Sequence, residues 1–148
     1  MIVLQFTALL LTAIALVPGG AHAASALTKL GMSQGDYFVA QMAYNGWALF
    51  GIAQIAALGV NVALAVALRG ETMAFRLVIA TVVCLVAGLA IFFAFTYPAN
   101  VATQNWTVAP AGWQGLRWQW EVSHAVNAAL TLAGFGTLCL ATLTAPRA

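Results

Sequence analysis

The residues best suited to chemistry sit close together near the C-terminal third: Arg117, Glu121 and His124, at helical spacings of four and three, with Trp120 and Asn127 beside them. Two histidines occur in the whole chain, and the other is His22. Four chemistries can be written from this set. Two histidines at one level of a bundle can hold a haem from both sides. Glu121-x-x-His124 has the spacing of di-iron bundle sites, but a di-iron site needs a second such motif, which the sequence lacks. His22 could complete a two-histidine, one-carboxylate set for a single iron. The fourth option needs no metal: His124 beside Glu121 acts as a general base in a dry pocket, and it fits the small number of ionisable residues best. No resident metal or cofactor is therefore predicted. The plain structural alternatives are an Arg117–Glu121 ion pair that neutralises charge at a membrane boundary, and His124 as a hydrogen-bonding link between helices.

These residues need a scaffold, and the composition says which. Of 148 residues, 64% are hydrophobic and 5% charged, whereas a soluble domain carries about 25% charged residues. Mean hydropathy is +0.96. A water-facing enzyme surface cannot be made from this chain, nor can a disordered protein. A net charge of +2 from five cations forms no stripe to neutralise phosphates, so nucleic acid is excluded as a partner. The expected partner is the lipid bilayer.

A hydrocarbon core of roughly 30 Å needs about 20 apolar residues in helix. Four stretches qualify: about residues 2–21, 37–68, 72–97 and 116–144, with a loop over 98–115. Runs such as Leu77 to Phe95 do not alternate apolar and polar residues, which argues against a β-barrel. The predicted fold is an all-α membrane protein, one domain over 1–148, built as an antiparallel four-transmembrane-helix bundle. Ser33-Gln34-Gly35-Asp36 resembles a capping box. Arg69-Gly70-Glu71 allows only a tight antiparallel hairpin, and Pro98 and Pro146 should stop the third and fourth helices. Ala21-His22-Ala23 fits a signal-peptidase site, but no cation precedes a long apolar run, so the first segment is expected to stay as a helix. Arg69, Arg76 and Arg147 on one side, against Lys29 and Arg117 on the other, put both termini in the cytoplasm of an inner-membrane protein. Trp106, Trp113, Trp118 and Trp120 suit an interfacial belt. Cys84 and Cys139 differ in depth by on the order of 13 Å at 1.5 Å per residue, too far to pair.

Polar residues gather toward the face with the longer loops. Tyr37, Gln41 and Tyr44 share a helical stripe, as do Arg117, Glu121 and His124, and the stripe Ala8, Thr12, Ala15, Gly19 ends at His22. Converging stripes of this kind line pockets between bundle helices. The predicted pocket comprises His22, Tyr44, Trp47, Asn100, Arg117 and Trp120, with His124 and Glu121 as its catalytic pair and a hydrophobic small molecule as its ligand.

Several blocks resemble a known family: Gly20-Ala21-His22, Lys29, DYFVAQMAYNGWALFG from Asp36 to Gly51, FTYPANVATQNWT from Phe95 to Thr107, and Trp113 followed by LRWQWEVSHA from Leu116 to Ala125. Together they are similar to the anthrone-oxygenase-like group of small four-helix membrane proteins, most of which have no assigned function. The chain departs from that pattern at Leu27-Thr28, where the resemblance leads one to expect Pro-Asn. The resemblance implies a four-helix membrane protein. For some relatives it also implies oxidation of an aromatic polyketide by O2 without an evident cofactor. It puts the base on His124, oriented by Glu121, with His22, Asn100, Arg117 and Trp120 shaping the site. Two other readings stay open at this level: a non-enzymatic subunit or assembly partner of a membrane complex, and a haem- or iron-binding bundle.

Overall fold

In the computed structural model, which describes residues 1–145, helices account for nearly everything and no strand occurs among the described residues. Helix α1 spans Ile2–Leu30, α2 Gln34–Met42, α3 Phe50–Ala67, α4 Thr72–Ile91, α5 Tyr97–Ala102 and α6 Trp113–Thr144. A 3-10 turn, Trp47–Leu49, leads into α3, and a π turn, Phe92–Thr96, joins α4 to α5. Four continuous segments are long and apolar enough to cross a bilayer: Ile2–Leu30, Trp47–Ala67, Thr72–Ala102 and Trp113–Thr144. The chain is a multi-pass membrane protein with the expected antiparallel four-helix architecture. Pro146 and Arg147, invoked above as a helix stop and a topogenic charge, lie outside the described residues.

Three boundaries differ from expectation, and each difference bears on the site. First, α1 does not end near residue 21. It runs through Pro18 to Leu30 and closes at Gly31. Proline is tolerated in a spanning helix because neighbouring helices support the turn that it weakens. His22 and Lys29 thus share one helix, two turns apart and on one face. Second, the expected span over 37–68 is broken. Ser33 caps α2, its Oγ accepting from the Asp36 N–H at 3.3 Å, but the helix stops at Met42. Gly46 then takes φ 85°, the left-handed region that glycine occupies without strain. Third, Pro98 does not end the third span. The π turn widens the helix just before it, and the Phe95 carbonyl accepts from Gln119 Nε2 of α6 at 2.8 Å.

Small residues let the helices close up at the end near the termini. Ala8, Ala65, Ala74 and Ala141 are buried there with Leu64, Val78 and Leu138. Polar links fasten the middle: Asn61 donates to Thr12 at 3.0 Å, and Thr81 donates to the Gly134 carbonyl at 2.9 Å. Gly134 is needed where it stands, since a Cβ there would lie 3.1 Å from the Cys84 Cβ. Cys84 therefore packs level with Gly134, and both cysteines are free.

The other end of the bundle is aromatic. Tyr37, Trp106, Trp113 and Trp120 form a buried cluster with Ala99. Only Trp118, among the four tryptophans assigned above to a belt, faces outward. The connection before α6 is ordered despite three successive left-handed residues, Gln104, Asn105 and Trp106. Thr103 holds it, taking the Trp106 N–H on its hydroxyl at 3.1 Å and the Thr107 and Val108 N–H groups on its carbonyl at 3.1 and 3.0 Å.

Candidate functional site

The two histidines fall at one height. His22 is 20 residues from Ile2 and His124 is 20 residues from Thr144. At 1.5 Å per residue both lie about 30 Å from the opposite helix ends, one hydrocarbon thickness away. They are thus at the membrane boundary on the side of the long loops. Their ring centroids are 4.3 Å apart with planes inclined by 36°.

Just beyond them lies a buried ion pair. Lys29 Nζ is 2.9 Å from Glu121 Oε2, and the two side chains are 3% and 0% exposed. The other carboxylate oxygen accepts from the Tyr37 hydroxyl at 3.0 Å. Tyr37 lies on α2, outside the spanning segments, and burial followed by the adjacent Glu121 carboxylate pushes its phenol pKa up, so it stays a donor. Cα–Cβ bonds tilt toward a helix N-terminus, so the Lys29 side chain leans back toward His22, and its Nζ comes within 3.4 Å of His22 Nδ1. An ammonium has only donors. His22 Nδ1 must therefore accept, and its proton sits on Nε2. His124 has no hydrogen bond to another protein group among the described residues, which leaves its ring nitrogens free for a ligand.

Arg117 does not pair with Glu121. Its guanidinium donates to the Met32 carbonyl at 2.8 Å and lies over the Trp113 and Tyr37 rings, 4.8 and 5.4 Å from their centroids. It pins the α1–α2 turn onto α6. The expected i, i+4 pair gives way because a longer-range partner, Lys29, reaches Glu121 from another helix. The only ion pair among the described residues is Lys29–Glu121.

Aromatic rings enclose His22. Tyr44 and Trp120 stand edge-on at 4.2 and 4.6 Å, and Trp47 at 5.5 Å. Trp120 also meets His124 at 4.2 Å. Asn100 fixes this wall, its Oδ1 accepting from Trp120 Nε1 at 2.8 Å and from Trp106 Nε1 at 3.2 Å. Together these residues line a cavity of about 1000 Å³ that continues between α1, α3, the π turn and α6. Gly19 sits on its wall and keeps α1 against α6, where a Cβ would lie 3.3 Å from the Ala128 Cα.

Six of the eight expected site residues therefore share one cavity: His22, Tyr44, Trp47, Asn100, Trp120 and His124. Glu121 and Arg117 stand behind the wall. Glu121 makes no hydrogen bond to His124 among the described residues, so any influence on the site runs through Lys29. The expected carboxylate of an iron set is thereby committed to Lys29 and Tyr37. Among the described residues no group of three or more His, Cys, Asp or Glu is placed to hold a metal. Metal–nitrogen bonds of about 2 Å on both sides would put facing imidazole centroids about 6 Å apart, so the tilted His22–His124 pair, at 4.3 Å, is not spread across an iron. From the sequence alone Lys29 reads only as a loop charge and a motif position. The available signal was its distance of seven residues from His22, two helical turns on one face.

Compared with known proteins, the chain matches no family model, no curated protein and no solved structure.

Proposed function

We propose that this membrane protein binds a hydrophobic aromatic molecule in the cavity at its loop-bearing, outer face and oxidises it with O2, using His124 as general base and no resident cofactor. The observation that carries this reading is the unequal pair of imidazoles on the cavity wall. His22 is held by Lys29 with its N–H on Nε2, and His124 has no protein partner. In this reading one ring donates to the substrate and the other accepts from it. The resemblance of the 95–107 and 113–125 blocks to anthrone-oxygenase-like proteins points the same way.

The step balances with oxygen as the oxidant. His124 removes a proton from an acidic ring methylene, and the electron pair moves onto the substrate's carbonyl oxygen. The Nε2–H of His22 stabilises that oxyanion, and the Lys29 charge adds to the local field. The carbanion adds O2 and takes the proton back to give a hydroperoxide, which loses water to leave a new ketone. Glu121 and Tyr37 are positioning residues that keep Lys29 aimed at His22.

The test is oxygen uptake by the purified, bilayer-reconstituted chain with a tricyclic aromatic ketone that bears an acidic methylene. His124→Ala should lower kcat by about 10²–10⁴-fold, the usual contribution of a general base, while the protein still inserts and melts as a folded bundle. Unchanged turnover in that variant refutes the reading. Co-purification with a larger membrane complex, with no turnover by the isolated chain, would favour a subunit role instead.

A further inference from the structure

The cavity is open along one side, and part of that opening faces lipid. Asn45 and Asn105 border the end at the membrane surface. Lower down, Ile52 and Ile55 of α3 and Phe93 of the π turn also line the cavity, yet they are 69%, 58% and 62% exposed on the outside of the bundle. Side chains that both line a cavity and face outward form its rim. Ile52 and Ile55 lie five and eight residues beyond Trp47, about 8 and 12 Å farther toward the bilayer middle. That rim is at hydrocarbon depth.

Polar groups inside are waiting for a partner. Gln41 is 6% exposed, and its Nε2 is buried without a hydrogen bond, as is Gln54 Nε2. Both residues line the cavity, Gln41 at the level of the rings and Gln54 between the two rim isoleucines. A buried amide donor left unpaired is expensive, and native structures rarely keep one without a reason. Here the missing partner is an acceptor oxygen, and because both residues already line the cavity, a turn of each amide would aim its donor at one.

We infer that the ligand is an oxygenated aromatic ring with a single apolar tail, drawn sideways from the bilayer between α3 and the π turn. The ring packs against His22, Trp120 and His124, its oxygens accept from Gln41 and Gln54, and the tail stays in lipid through the rim. Because lipid is as apolar as the rim, the tail adds little binding energy beyond partitioning. It places the ring at the correct depth and concentrates the molecule where the opening is. This rests on the site reading above, but not on its oxidation step.

The experiment uses the full chain in lipid nanodiscs on a Trp118→Phe background, which removes the outward-facing tryptophan. Quenching of the cavity tryptophans reports binding of brominated para-cresol and brominated para-dodecylphenol. The tailed probe should quench saturably, with occupancy that follows its mole fraction in the bilayer and falls when lipid is added at fixed total probe. Ile52→Phe with Ile55→Phe, both lipid-facing apolar exchanges, should slow its association about tenfold, equivalent to about 1.4 kcal/mol of barrier, and leave para-cresol unchanged. Saturable quenching by para-cresol alone overturns the lateral route while the site reading stands. Equal slowing of both probes also overturns it. If neither probe binds, the site reading itself falls.

Discussion

Replacing Lys29 by Met tests whether the buried ion pair organises the loop-bearing end of the bundle. The side chains of Lys29 and Glu121 are 3% and 0% exposed and their charged atoms are 2.9 Å apart. Removing one member of such a pair costs about 3–5 kcal/mol, because the other charge stays buried without compensation. Glu121 keeps the 3.0 Å hydrogen bond from Tyr37, so the lower end, about 3 kcal/mol, is expected. For a chain of this size a loss of 1 kcal/mol lowers Tm by about 2–4 °C, which gives a fall of about 6–12 °C in a detergent or nanodisc melt. Glu121→Gln added to Lys29→Met removes the stranded charge and still offers Tyr37 an acceptor. The double variant should recover most of the loss, a favourable coupling that a cycle of single and double variants measures directly. Nitrogen NMR of the histidines supplies a second readout: without the Lys29 donor, His22 should no longer be confined to the Nε2–H tautomer. A Lys29→Met protein that melts within about 2 °C of the parent, less than 1 kcal/mol by the same conversion, refutes the reasoning. So does a double variant whose loss equals the sum of the singles.

Asn100→Leu strands two indole N–H donors, those of Trp106 and Trp120, and should destabilise the protein by about 2–6 kcal/mol at about 1–3 kcal/mol per unsatisfied buried group. Chemical unfolding measures the loss, and altered tryptophan emission reports the disturbed wall. Gly134→Ala places a methyl 3.1 Å from the Cys84 Cβ and should cost about 1–3 kcal/mol by overpacking, and Cys84→Ala, which keeps that Cβ, should not restore it. Gly136→Ala, where nothing lies within 4 Å of the added carbon, should be neutral or slightly stabilising and serves as the control. Alkaline pH gives a further check. Tyr37 holds its proton in the fold to higher pH than in the unfolded chain, so the unfolded state releases that proton first and stability falls as pH rises past about 10, by up to 1.36 kcal/mol per pH unit. Tyr37→Phe should remove that increment of slope in unfolding curves compared across pH.

The spans were readable because each is an unbroken apolar run, and the polar stripes were readable because helical periodicity puts His22, Tyr44 and His124 on defined faces. What spacing cannot show is partner choice between helices. Glu121 has Arg117 one turn away on its own helix, yet it binds Lys29 and Tyr37 from α1 and α2. Helix ends were misjudged wherever a local breaker met tertiary support. Pro18 and Pro98 sit inside spans because neighbouring turns and the π widening absorb them. Gly46 did break its span, and the break lets α2 fold over the cavity mouth with Tyr37 and Gln41 turned inward. Composition suggested a belt for the tryptophans, but Asn100 offers an acceptor to two of them, which makes burial affordable.

The two layers at this end of the bundle divide their tasks. The outer layer, with Lys29, Glu121, Tyr37 and Arg117, holds its charges in ion-pair, hydrogen-bond and ring contacts and joins α1, α2 and α6. Apart from the buried Arg117 Nε, its polar atoms are engaged, so it has little capacity for a ligand. The layer beneath, with His22, His124, Gln41 and Gln54, lines the cavity and holds two unpaired amide donors and an imidazole without a protein partner. A protein selected only for stability would fill that volume, because a lined cavity forfeits contacts and an unpaired amide costs about 1–3 kcal/mol. The contrast between a cross-linked layer and a cavity directly below it is what a preorganised binding site requires: the first props the second open. Lys29 is the single residue that belongs to both, with one contact to Glu121 and one to His22. Any signal that moves it would change the outer anchor and the inner imidazole together.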